Sequence, residues 1–193
     1  MNLPDRLRDA LQTPGSADLL TGDICEDQDS APQPAAVLIA LTERSNPGVI
    51  LTVRREDMRT HAGQVAFPGG RIDAGESATD AAIREAWEEV GLDPLLVQPI
   101  AELDPYRTVT DFSVTPVIAV IPPDLQLSPH EREVSNVFEA PLDYLLDPAN
   151  QHRQAALFRG RERHYYEIVW NGRRIWGATA AMIVNLSHRL QWR

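Results

Sequence analysis

Glu85, Glu88 and Glu89 fall within five residues of one another in the stretch GGRIDAGESATDAAIREAWEEVGL, Gly69 to Leu92, and they limit what this segment can become. Spacing of i, i+3 and i+4 puts all three carboxylates on one face of a helix, about a turn apart. Like charges at that spacing destabilise a bare helix, and without a cation their carboxyl pKa values should rise. A divalent cation reverses the sign of the effect. Oxygen-only donors of high charge density suit Mg²⁺ or Mn²⁺, and the stretch holds no Cys or His to suggest zinc. Ser77 to Val90 reads as the helix, with Gly91 as a left-handed cap and Pro94 blocking its return. Ala78, Ala82, Ala86 and Val90 lie opposite the glutamates and are small enough to pack closely on a sheet. Arg84 can hold a neighbouring carboxylate through a bidentate contact. Gly69 and Gly70 let the backbone approach a metal and a substrate closely. A charged helix face is most often solvated surface, so the glutamates alone leave a metal site and an acidic face about equally open.

The rest of the chain sets the frame. With 193 residues, 43% of them hydrophobic, it suits one globular domain with an extension. A formal charge of -10 argues against a protein that grips nucleic-acid backbones. The acidic balance suggests a soluble protein, or one that meets anions through a metal. The single cysteine, Cys25, excludes an intrachain disulfide and fits a reducing compartment. The first twenty residues scatter charge among apolar positions, unlike a signal peptide, and no apolar run approaches the ~20 residues that span a bilayer. The cytoplasm is the expected location.

Along the chain, LPDRLRDALQ spaces Leu3, Leu7 and Leu11 for a helix, and Asp18 to Pro34 is acidic and rich in turn formers. Residues 1–34 are therefore read as an arm and linker, packed on the domain or on a partner chain, and residues 35–193 as the domain. AAVLIALTE is a buried strand that turns at SNPG into VILTVRR, a hairpin. LVQPIAELD and SVTPVIAVIP read as strands. EVSNVFEAPLDYLLD reads as a strand and a short helix. YYEIVWNGRRIWG is a hairpin turning at Asn171-Gly172, and ATAAMIVNLSHRL is a closing helix. Interspersed strands and helices imply a mixed α/β or α+β domain. Trp176 and Phe138 are expected in the core, Cys25 as a bystander, and His61 as a solvated loop residue.

Gly70, Glu76, Arg84-Glu85, Glu88-Glu89 and Gly91-Leu92 together match both the types and the spacings of a known pattern. The segment resembles the Nudix box, G-x5-E-x7-R-E-U-x-E-E-x-G-U with U apolar, with Ala86 the smallest of the apolar positions. The resemblance implies a Nudix fold, a mixed β-sheet sandwiched between helices, and hydrolysis of a nucleoside diphosphate linked to another group. Carried over, Glu85, Glu88 and Glu89 ligate Mg²⁺ or Mn²⁺, with the Gly70 carbonyl a further donor. Glu76 supports the site and Arg84 orients Glu85. The cation polarises the pyrophosphate while a water of lowered pKa attacks one phosphorus. Glu88, Glu89 or a later glutamate such as Glu133 could each serve as the base.

Ile50 to Gly70, ILTVRREDMRTHAGQVAFPGG, narrows the substrate. Leu51, Thr52, Arg54, Arg59, Gly63 and Phe67-Pro68-Gly69-Gly70 fall in register with a signature of the coenzyme A pyrophosphatase branch. Ile50 and Arg55 depart from it, the second where that branch has a small residue. Arg54, Arg55, Arg59, His61 and Arg71 form a basic island in an acidic chain, suited to phosphate oxygens. The resemblance implies that CoA, oxidised CoA or acyl-CoA is the small-molecule substrate, held by Arg54, Arg59, Gly69, Gly70 and Arg71, with Arg54 or Arg59 reading the 3′-phosphate. The arginines could equally pair with Glu56, Asp57 or Asp73. Neither a nucleic acid nor a membrane is expected as a partner, and a homodimer is left open. Two rival readings stand beside this one. The first is a Nudix hydrolase of a nucleotide sugar, dinucleotide or nucleoside triphosphate. The second is a non-catalytic nucleotide-sensing module, a class that usually loses box glutamates; here none is lost.

Overall fold

The apolar run at Ala35 to Glu43 becomes the centre of a mixed sheet. In the computed structural model, which describes residues 2–12, 19–22, 31–57, 63–158 and 161–190, helix α1 (Leu3–Gln12) precedes strand β1 (Gln33–Thr42). The hairpin partner β2 (Gly48–Arg54), two short strands β3 (Val65–Ala66) and β4 (Gly69–Arg71), and the glutamate helix α2 (Ala78–Val90) follow. Then come β5 (Gln98–Glu102), β6 (Tyr106–Arg107), β7 (Phe112–Ile121), β8 (Val134–Pro141) and α3 (Leu142–Leu146). A ribbon of β9 (His152–Phe158), β10 (Arg161–Trp170) and β11 (Arg173–Trp176) leads into α4 (Ala178–Leu190).

β1 runs parallel to β7 along its whole length, from Gln33 opposite Phe112 to Thr42 opposite Ile121. Its other edge is shared. Ala35 to Val37 pair antiparallel with β4, and Leu41 pairs with Val49 of β2. β2 then diverges to pair with β8 and β3, while β5 and β6 flank β7. The split at β1 opens the sheet where β4 enters, and the Gly69-Gly70 pair sits in that opening.

Alternation along the central strands sorts the core into two layers. Ile39, Leu41, Ile118 and Val120 face α1, α3 and α4 and meet Leu7, Leu145, Ile183 and Leu186. Ala36, Leu38, Ala40, Val117, Ala119 and Ile121 face α2 and meet Ala81, Ala82, Ala86 and Val90. The sheet is therefore sandwiched between helices, as the sequence suggests. Leu3 and Leu7 of α1 are buried in the larger layer, so this helix packs on the domain. Among the described residues no helix is long and apolar enough to cross a membrane.

Two features differ from expectation. The three-stranded ribbon is longer than YYEIVWNGRRIWG indicates, because β9 and the outer part of β10 also pair, His152 opposite Glu167 through Phe158 opposite Arg161. HRQAALF is exposed at all six positions from His152 to Leu157, so it has no buried face to generate an alternating pattern. Phe138 and Trp176 are only half-buried, and each carries an arginine over its ring rather than sitting deep in the core. The inner hairpin is as expected: Asn171 and Gly172 both take positive φ, 46° and 74°, the geometry of a tight primed turn.

The alanine contact between α2 and the sheet should be intolerant of volume. Ala82→Leu, at a fully buried position, is expected to cost roughly 1–3 kcal/mol by overpacking. Urea unfolding measures this, and an unchanged midpoint would show that the helix can shift away from the sheet.

Candidate active site

Helix α2 is defined at both ends by its own residues. Ser77 caps the start, its hydroxyl accepting from the Asp80 amide at 3.0 Å and donating to Asp80 Oδ2 at 2.6 Å. Gly91 ends it at φ 68°, its amide bonded to the carbonyl of Trp87. The glutamate face turns toward β4, because the opposite alanine face is packed on β1 and β7.

Arg84 organises this face. Its Nε and Nη2 donate to the two carboxylate oxygens of Glu76, at 2.9 and 3.0 Å. Nη1 donates to Glu85 Oε1 at 2.9 Å and reaches Glu88 Oε2 at 3.4 Å. Nη2 also donates to the Arg71 carbonyl at 3.0 Å, which ties the helix to β4. Glu76 is fixed in turn by the Asp73 amide at 3.0 Å. The fork on Glu76 raises the Arg84 pKa further and holds the Glu76 carboxyl below the usual range.

Glu89 lies deeper, with 5% of its surface exposed, and accepts from the Gly69 amide at 3.1 Å. Burial pushes its pKa up to about 7, against the pull of that amide and of nearby Arg54. Burial also raises Glu85, although Arg84 opposes it. The elevation expected from the spacing is present at these two glutamates, but desolvation comes first and repulsion from neighbouring carboxylates follows. Gly69 is sterically required, since a Cβ there would lie 2.3 Å from the Ala36 carbonyl oxygen, whereas one on Gly70 would lie 2.4 Å from Glu85 Oε1 and displace that carboxylate.

These groups line one cavity of about 760 Å³. Glu85, Glu88 and Glu89 come from α2, Gly69, Gly70 and Arg71 from β4, and Arg54 from the end of β2. His130 and Glu133, from the loop before β8, close the far side, and Trp87 stands at the rim, 57% exposed. The loop is held down by the His130 amide, which donates to the Glu89 carbonyl at 2.8 Å. Among the described residues no three Asp, Glu, His or Cys side chains already close on a single point as metal donors would. Arg84 Nη1 instead lies between Glu85 and Glu88. The donor set nevertheless fits a hard divalent cation: three carboxylates from α2 and a glycine main chain from β4, all oxygen.

The structure thus brings together Glu76, Arg84, Glu85, Glu88, Glu89, Gly69, Gly70, Arg71, Arg54 and Glu133. It does not bring in Arg55, whose Nε and Nη2 fork onto Asp57 at 2.7 and 2.6 Å and whose Nη1 donates to the Glu131 carbonyl. Arg71 also lies over the Phe112 ring, 5.6 Å from its centroid. Arg59, His61 and Cys25 lie outside the described residues. His130 and Trp87 are cavity residues that the sequence reading did not single out. Trp87 occupies an unrestricted position between the box glutamates. His130 had one usable signal, its place three residues before Glu133.

Residues 32–161 match the family described as NUDIX domain. An uncharacterized Nudix hydrolase, NudL, of Enterobacter sp. (strain 638) is 44% identical over 154 residues, covering 79% of this chain and 80% of that protein. The NudL protein of Escherichia coli (strain K12), also described as an uncharacterized Nudix hydrolase, is 44% identical over 155 residues, with the same coverage. Among solved structures, a Nudix hydrolase from M. Smegmatis, RenU, aligns at a TM-score of 0.48 and 25% identity, over 58% of this chain and 72% of that one.

The buried Glu89 gives stability a defined pH dependence. Its folded-state pKa lies above its unfolded value, so the folded protein holds a proton that the unfolded chain releases. That contribution is complete below the ordinary glutamate range and is lost as pH rises to about 7. The loss is on the order of 3 kcal/mol. Denaturant unfolding of metal-free protein from pH 4 to 8 should show the decline, and Glu89→Gln should flatten it. A variant with the unaltered slope would mean that another group titrates.

Proposed function

The chain belongs to the Nudix hydrolase family, and we propose that within this family it is a coenzyme A pyrophosphatase, splitting CoA into 3′,5′-ADP and 4′-phosphopantetheine. The observation that carries this reading is the meeting of two separate sequence signatures in one cavity. Arg54, from the upstream signature, lines the same walls as Glu85, Glu88 and Glu89 from the box. Acyl and oxidised forms of CoA share the same pyrophosphate and belong to the same reading, with the cytoplasm as the place of reaction.

Glu85, Glu88 and Glu89, with the Gly70 carbonyl, would hold Mg²⁺ or Mn²⁺ here. Bound there, the cation supplies charge to the pyrophosphate oxygens and lowers the pKa of the attacking water. The chain's own residues do the rest. Arg84 keeps Glu85 and Glu88 turned into the cavity, and Glu76 keeps Arg84 in place. Gly69 fits against the β1 backbone only without a side chain, and directs its amide to Glu89. Glu133 is our choice for the group that takes the proton from water. Among the described residues its side chain is committed neither to Arg84 nor to a backbone amide, unlike Glu88 and Glu89.

Arg54 is better suited to the pyrophosphate than to the 3′-phosphate of CoA. It lies close enough to Glu89 to lower that carboxyl's pKa, and so sits beside the reacting centre. Arg71, on the adjacent wall, is the second arginine able to reach the same oxygens.

Incubation with CoA and Mg²⁺, followed by product identification, tests the assignment. The expected products are 3′,5′-ADP and 4′-phosphopantetheine, with turnover falling by orders of magnitude in Glu85→Gln while the fold survives. Untouched CoA alongside cleavage of a nucleotide sugar or dinucleotide would move the protein to another branch of the family. A separate comparison tests Arg54. A charge-assisted contact is worth about 1.5–3 kcal/mol, so Arg54→Ala should lose roughly ten- to a hundredfold in kcat/KM. The loss should be equal on CoA and dephospho-CoA. A loss confined to CoA would return Arg54 to the 3′-phosphate.

A further inference from the structure

On the other face of the sheet a second cavity, of about 570 Å³, lies between the end of β2 and the β10–β11 hairpin. Val53, Gly63, Gln64 and Val65 form one side of it, and Gly172, Arg173, Arg174 and Trp176 the other. It is not an extension of the catalytic cavity. Val53 and Arg54 are consecutive strand residues, and the register of β2 against β8 shifts between them. Val53 packs with the α1–α3–α4 layer, as do Phe138 and Trp170, whereas Arg54 lines the glutamate cavity on the α2 side.

The chemistry of this second cavity is specific. Arg173 lies over Phe138, 4.4 Å from the ring centroid, and Phe138 stacks on Trp170 at 5.8 Å and 9°. Arg174 lies 4.9 Å from the Trp176 ring and 5.8 Å from the Tyr165 ring, pairs with Glu167, and donates to the Tyr165 hydroxyl at 3.0 Å. Two guanidinium groups thus lie against aromatic rings beside a half-buried indole. An Asn-Gly turn closes a hairpin without any of these contacts, and exposed cation–π pairs are individually weak. In a chain of charge -10, residues 152–176 carry six arginines against two acidic residues, Glu162 and Glu167. Local positive charge, fork-shaped donors and an aromatic platform are the combination that recognises a phosphate joined to a planar ring.

We infer that the hairpin cavity is a second binding site, separate from the catalytic one, for a mononucleotide. Its base stacks on Trp176 and its phosphate meets Arg173 and Arg174. The volume falls in the range of small-ligand sites, about 300–1,000 Å³. Among the described residues the site has no counterpart of the Glu85–Glu88–Glu89 cluster, so a ligand there is bound and not hydrolysed. This inference does not depend on the identity of the hydrolysed substrate.

Calorimetric titration of the full chain with AMP, in EDTA, tests it. AMP has no pyrophosphate to cleave, and EDTA removes cation-dependent binding by the glutamates. AMP should bind, and Arg173→Ala and Trp176→Leu should each weaken it by at least about tenfold. Arg173→Lys, which keeps the charge but loses the fork, should fall between wild type and Arg173→Ala, and it carries the decision should Trp176→Leu fail to fold. Glu85→Gln should leave the affinity unchanged. Adenosine and inorganic phosphate, each offering half of the ligand, should bind far more weakly than AMP. Absence of AMP binding at millimolar concentration overturns the proposal. So does binding abolished by Glu85→Gln and indifferent to Arg173→Ala, and so does phosphate binding as tightly as AMP.

Discussion

How closely α2 approaches the sheet decides what the rest of this structure can do. Ala81, Ala82 and Ala86 on the helix pack in one layer with Ala36, Ala40 and Ala119 on the strands. Close packing lowers the helix until Glu89 is nearly out of water, against the Gly69 amide. A carboxylate in that position is costly to ionise, and it relaxes by raising its pKa. The β1 backbone at Ala36 and Val37 leaves no room for a side chain at Gly69, and one at Gly70 would press on the Glu85 carboxylate. The alanines and the buried glutamate are therefore one constraint expressed in two places.

Arg84 balances that constraint. One guanidinium group holds Glu76 by both oxygens and spans Glu85 and Glu88 with its remaining nitrogen. The cluster is consequently graded: Glu76 is held ionised by its fork, while Glu85 and Glu89 are pushed toward the neutral form by burial. Neighbouring carboxyls driven in opposite directions by their surroundings are a recurrent arrangement where acid–base or metal chemistry is carried out.

Much of this was legible in the sequence because the residues concerned answer to local rules. Ser77, Gly91 and the alanine stripe define α2 by themselves, and the Asn171-Gly172 turn defines its hairpin. What was not legible depends on tertiary placement. Arg54 and Arg55 are chemically identical neighbours, yet Arg54, the last residue of β2, lines the cavity, while Arg55, just past the strand end, is taken by Asp57. The raised glutamate pKa values were anticipated from repulsion, whereas the main cause is burial, which no spacing rule contains. β9 escaped because a strand exposed on both faces has no period to detect. Trp176 was assigned to the core on its residue type alone, while the structure half-exposes it at the edge of a cavity.

The acidic balance of the chain acquires its meaning from these positions. At physiological ionic strength charges beyond about 8 Å are largely screened, so an approaching pyrophosphate is governed by the cavity walls more than by the total of -10. Those walls carry Glu85, Glu88, Glu89 and Glu133 against Arg54 and Arg71, with Arg84 already engaged by its carboxylates. A dianionic pyrophosphate entering such a cavity meets more negative charge than positive. The imbalance disappears when a divalent cation joins the oxygen donors, and neutralisation of Glu85 and Glu89 is only a partial substitute for it. On the proposed reading, cation and substrate would each improve the site for the other, and the chain's own arginines would position the anion without being sufficient to attract it.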